Sequence, residues 1–190
     1  MKRNFKHLMM ALTAGAYLFA LSSCSSDDNN PTPEEENENE VITKVELHFK
    51  EEGSDTERVF SWSDPDGEGG DNPTIEDIVL DAGKAYAVSI KLLDEVNDED
   101  VTEEIEEEDI DHRFYYTPSE GSEITVSNLD QDKNGISLGI NSTWTTGSPA
   151  EGSMHIVLRH YAEGGKQESD SVTDSKSSTD ADISFTTKVQ

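Results

Sequence analysis

From Val41 to the last residues of the chain, apolar side chains recur at every second position. That period turns one face of a strand inward and the other to water, and a helix of 3.6 residues per turn does not match it. Val41, Thr43, Val45, Leu47 and Phe49 share one face, with Ile42, Lys44, Glu46, His48 and Lys50 on the other. Tyr86, Val88, Ile90 and Leu92 make a second inward row, and Ile136, Leu138, Ile140 and Trp144 a third. Met154, Ile156, Leu158 and His160 make a fourth, and Ile183, Phe185 and Val189 close the chain. Weaker strands are expected at 57–63, 75–80, 112–117 and 123–128. About nine strands separated by Gly-, Asp- and Ser-rich turns predict an all-β fold. An antiparallel β-sandwich, with the immunoglobulin type as a candidate, fits best; a barrel is the alternative. At most one short helix is expected, over 100–111. There Asp100 and Glu103 have capping-box spacing, and Val101, Ile105 and Ile110 follow the helical period loosely.

The first forty residues break this pattern. Met1 to Lys6 carries three cations, and a largely apolar run over 8–21 follows. The run is too short for a transmembrane helix and has the layout of a signal peptide. Leu21-Ser22-Ser23-Cys24 resembles the lipobox, in which two small residues precede a thiol that accepts a diacylglycerol. Residues 1–23 are therefore expected to be a lipoprotein signal peptide, with Cys24, the single cysteine, as the lipidation site and further acylation completing the membrane anchor. Ser25-Ser26-Asp27-Asp28-Asn29-Asn30 resembles the acidic export signal of Bacteroidetes surface lipoproteins, which implies the outer membrane and an outward-facing chain. Residues 24–40, dominated by Asp, Asn, Glu and Pro, have little to bury and read as a disordered acidic tether. That leaves one β-sandwich domain over 41–190.

Charge narrows the partners. The chain holds 42 Asp and Glu against 14 Lys and Arg, a formal net charge of −28. Such a surface repels nucleic acid and anionic lipid and attracts cations. Two loops suit calcium, which prefers six to eight oxygen ligands. In the first the candidate ligands are Asp64, Asp66, Glu68 and Asp71; in the second, Asp130, Asp132 and Asn134. The second opens like an EF-hand loop, but its twelfth position is Asn141 and Lys133 lies within it. The same residue types are common turn formers. Calcium is the cofactor these loops would take.

Four histidines follow the leader: His48, His112, His155 and His160. None has the close spacing of a zinc motif. His155 and His160 point to opposite faces of one strand. His112 follows the acidic run 103–111 and gains a metal site only through folding. His112 and His160 are the candidate transition-metal or ligand residues, with a hydrogen-bonded core-edge histidine as the plainer reading of His160. Trp62 and Trp144 are expected in the core by phase, and Arg113, Tyr115 and Tyr116 raise the same choice between core and exposed platform. No Gly-x-Ser-x-Gly elbow, phosphate-binding loop or catalytic cysteine is present, so an enzyme is not expected and no catalytic residue is assigned.

From Val45 through Val189 the order of motifs resembles a family of small lipoproteins of flavobacteria and their relatives. The matching stretches are Ser63-Asp64-Pro65-Asp66-Gly67, Ile90-Lys91-Leu92-Leu93-Asp94-Glu95, Val101-Thr102-Glu103-Glu104-Ile105, Asp130-Gln131-Asp132-Lys133-Asn134-Gly135, Trp144-Thr145-Thr146-Gly147 and Leu158-Arg159-His160. Members are often labelled as type 1 periplasmic-binding folds, which alternate strands with helices, whereas this chain is almost all strand. The resemblance implies an envelope role beside a TonB-dependent outer-membrane transporter. A non-catalytic binding module accessory to nutrient or metal-ion uptake is the leading expectation. A structural or adhesive envelope protein with calcium-rigidified loops is the alternative.

Overall fold

The alternating rows become strands in the computed structural model, which describes residues 40–67, 69–162 and 165–190. The expected signal peptide, Cys24 and the tether up to residue 39 lie outside the described residues, as does Glu68. The strands are β1 (Lys44–Glu51), β2 (Glu57–Ser63), β3 (Thr74–Ile75), β4 (Ile78–Leu80), β5 (Ala85–Asp94) and β6 (Glu99–Asp100). After the helix α1 (Val101–Glu107) come β7 (His112–Pro118), β8 (Ile124–Ser127), β9 (Asn141–Thr146), β10 (Ala150–His160) and β11 (Ser178–Val189).

Two sheets form the sandwich. The first runs β3-β2-β1-β5-β9-β8, with β6 also paired to β5; the second runs β4-β11-β10-β7. The order β1-β5-β9-β8 facing β11-β10-β7 reproduces the ABED and GFC adjacency of immunoglobulin sandwiches. All pairs are antiparallel except β4 with β11, where Ile78, Val79 and Leu80 run parallel to Thr187, Lys188 and Val189.

Inward side chains of both sheets make one core. Val45, Leu47 and Phe49 of β1, Ile156 and Leu158 of β10, and Phe185 of β11 are all buried in it. Burying each such side chain stabilises the fold by about 1.5–3 kcal/mol. Trp144 of β9 is fully buried. Its ring meets Phe49 edge-on at 5.1 Å and Tyr116 of the opposite sheet at 5.8 Å, joining the two layers. Trp62, half-buried, packs at the core margin.

Three elements depart from the alternation in local ways. The row from Ile136 becomes a strand only at Asn141, because Gly139 takes φ +93°, at a point where a Cβ would come within 3.1 Å of Phe114. The stretch 75–80 splits into β3 and β4, which belong to different sheets. The helix ends at Glu107, leaving Ile110 outside it. Asp100 caps it by accepting the Thr102 N–H, not that of Glu103. Val101 and Ile105 are its buried face. Thr102 pins it to β5, its hydroxyl accepting the Leu92 N–H at 2.8 Å. Among the described residues no helix is long and apolar enough to cross a membrane.

Candidate functional site

His112 opens β7 and His160 ends β10, and the two are direct cross-strand partners. Each is in phase with a core row, His112 with Phe114 and Tyr116, His160 with Ile156 and Leu158. Both side chains therefore point inward at one end of the second sheet. Their rings stack with centroids 4.6 Å apart and planes 22° from parallel.

A β-bulge brings in a third group. Leu158 pairs with Ala181 but Arg159 pairs with Thr179, so Asp180 is the extra residue of β11. A bulge re-aims side chains beside it, and here the Asp180 side chain is fully buried. Its Oδ2 lies 3.7 Å from Nε2 of the equally buried His112. Glu108, at the C-cap of α1, supplies a fourth group at the surface. One ligand atom each of Glu108, His112 and His160 lie within 4.8 Å of one another.

The hydrogen bonding of this cluster is incomplete. His112 Nδ1 lies 3.3 Å from the Glu108 carbonyl oxygen. A carbonyl only accepts, so Nδ1 carries the proton and Nε2 keeps a free lone pair. His112 Nε2, His160 Nδ1 and both carboxylate oxygens of Asp180 are buried without a hydrogen-bond partner. Leaving a buried polar group unsatisfied costs about 1–3 kcal/mol. Burial, and then the neighbouring His160, push His112 down to about 4. Burial pushes Asp180 up to about 6, against the pull of His160 and Arg159. Glu40, at the N-terminal edge of the domain, is pushed up to about 7 by burial and by Glu104, Asp180 and Glu108. The local environment thus disfavours the charged forms of His112, Asp180 and Glu40.

Two cations outside the cluster hold its backbone. Lys166 is 3 % exposed. Its ammonium donates to the His112 carbonyl at 2.8 Å and the Asp109 carbonyl at 2.7 Å, and pairs with Asp132 Oδ2 at 3.0 Å. Arg159 donates to the carbonyls of Asp174 and Ser177 and to the hydroxyls of Ser177 and Thr179, fixing the approach to Asp180. Lys166 does not announce itself in the sequence: it sits among Gly, Gln and Glu and reads as a solvated loop residue.

In the two expected calcium loops, Asp66, Asp130 and Asp132 accept hydrogen bonds from nearby groups of the chain. Asp66 Oδ2 accepts the Asp71 N–H at 2.8 Å, and Asp71 is exposed. Asp64 Oδ1 is buried without a hydrogen-bond partner. In the second loop Asp130 accepts from the Gly139 N–H and the Asn141 side chain, each at 2.8 Å. Asp132 Oδ1 accepts the N–H groups of Asn134 and Ile136, while its Oδ2 faces Lys166. Asn134 itself is exposed.

The remaining candidates have other partners. His48 lies between Glu46 and Glu57, and His155 meets Asp182 at 2.6 Å. Arg113 lies 4.8 Å over the Tyr115 ring and reaches the Gln167 and Glu168 carbonyls. Tyr116 donates to the Gly139 carbonyl at 2.7 Å. A surface groove of about 500 Å³, bordered by Lys50, Gly53, Ala85, Asn128 and Thr143, shares no residue with the histidine cluster. Buried polar atoms without a hydrogen-bond partner gather at the cluster, and none of those found belongs to the groove's lining.

No protein-family profile, curated protein or solved structure matches the chain.

Proposed function

We propose that the chain is a lipid-anchored outer-membrane protein, facing the exterior, whose β-domain is a non-catalytic binding module for a small cation. In this reading it works beside a TonB-dependent transporter in nutrient or metal-ion uptake. The carrying observation is that His112 Nε2 and the Asp180 carboxylate, 3.7 Å apart and buried, have no hydrogen-bond partner, at a domain end where Glu108 is exposed. The whole chain's formal net charge of −28 attracts cations. Four protein groups around one small ion would complete its coordination, leaving no open position for a reacting substrate. The leader, the lipobox and the acidic stretch after Cys24 support the anchor and the outward orientation. The motif resemblance supports the transporter setting. A structural envelope role with calcium-stiffened loops is the second reading, favoured by the unpartnered Asp64 Oδ1.

A thermal melt of the full chain, first in chelator and then with single divalent cations, tests the module. A ligand that binds only the folded state raises the midpoint by mass action. At least one cation should do so; no shift with any of them sinks the reading. Labelled palmitate incorporated into the chain and lost in Cys24→Ser would check the anchor.

A further inference from the structure

We infer that His112, His160, Asp180 and Glu108 form a binding site for a first-row transition-metal dication, with zinc as the reference ion. This rests on the binding-module reading and names its ligand class. Two imidazole nitrogens with carboxylate oxygens suit zinc, cobalt or nickel; calcium and magnesium prefer oxygen alone. Ligand atoms of a tetrahedral ion bound at about 2.0–2.1 Å lie about 3.4 Å apart. The 3.7 Å between His112 Nε2 and Asp180 Oδ2 is close to that. One ligand atom each of Glu108, His112 and His160 lie within 4.8 Å of one another, and an ion would draw these side chains closer.

A purely structural core histidine would have both ring nitrogens satisfied. His112 has one, and the bond it makes is the one a metal ligand uses. Its Nδ1–H donates to the Glu108 carbonyl, fixing the tautomer that frees Nε2. The unpartnered atoms of His112, His160 and Asp180 are free to bind an ion, which would also neutralise the buried carboxylate. His160 is half-buried and Glu108 exposed, so the cluster reaches the surface on their side. The cluster also has a built frame: Lys166 holds the His112 backbone and Arg159 holds the segment entering β11.

The test uses the full chain carrying Cys24→Ser, so that its thiol contributes no ligand. Cobalt(II) is titrated and its visible absorption recorded, then displaced with zinc. One cobalt per chain with the intense bands of a four-coordinate ion is expected. His160→Gln and Asp180→Asn should weaken zinc binding by about 100-fold or more, since even outer-shell changes cost 10–100-fold. Glu108→Gln, at an exposed position, should weaken zinc binding while leaving the metal-free melting midpoint unchanged. Only the weak bands of six-coordinate cobalt, or zinc affinity unchanged in both His160→Gln and Glu108→Gln, would overturn the site. Stabilisation by calcium, lost in Asp64→Asn or Asp130→Asn and without zinc binding, would overturn it yet leave the binding module standing. No stabilisation by any divalent ion would remove both.

Discussion

His112 and Asp180 approach within 3.7 Å although β7 and β11, which carry them, are separated by β10. The contact depends on the bulge, because Asp180 has no cross-strand partner of its own. Deleting Asp180 would make Thr179 and Ala181 consecutive partners of Arg159 and Leu158 and restore a regular ladder. The deletion variant is expected to melt cooperatively near the parent midpoint and to lose the zinc-dependent shift. Paired melts with and without zinc check this; a full zinc shift in the deletion variant would show that Asp180 is not a ligand.

Lys166→Met removes a buried ammonium and leaves the Asp132 carboxylate without its cation. Breaking a buried ion pair from one side costs about 3–5 kcal/mol. Denaturant unfolding should show a loss of that order, and adding Asp132→Asn should recover part of it. A loss below about 1 kcal/mol would mean that water replaces the ammonium there.

Trp144→Ala empties the contact between the two layers. Replacing a buried aromatic by alanine typically costs about 3–5 kcal/mol. The urea midpoint should fall by the corresponding amount with an unchanged slope. A changed slope would show instead that the variant alters the compactness of a state.

Glu168 governs part of the acid response. The Ser137 N–H, with help from the Ser137 hydroxyl, Arg113 and Lys166, holds its carboxyl below the usual carboxylate range despite some burial. A group depressed in the folded state contributes stability above its unfolded pKa of about 4.3 and loses it as pH falls through the folded value. Glu168→Gln should therefore lower stability at pH 7 and flatten the decline below about pH 4. Denaturant titrations across that range measure both effects; an acid limb as steep as the parent's would remove Glu168 as a contributor.

Much of the sandwich was legible because alternation survives wherever one sheet face meets the core. Val45, Leu47 and Phe49 turn inward as their spacing requires. The parallel pairing of β4 was not legible, since three residues carry no directional signal. Gly139 shows the limit differently: apolar spacing continues through it, yet its left-handed backbone delays the strand. For the candidate site, His112 and His160 stood out as residue types, but their pairing depends on register across β7 and β10. Asp180 was hidden because strand alternation assigns it to the solvent face with Asp182, and only the bulge reverses that.

The parallel pairing of β4 with β11 also sets a timetable. Ile78 waits for Thr187, far along the chain, and β11 is the strand that links β4 to β10. Contacts of such long sequence separation form slowly. During synthesis β1, β2 and β5 can pair early, but the second sheet lacks one of its two central strands until β11 has left the ribosome. The domain would therefore close around its core only once its last strand arrives, whatever has paired before it.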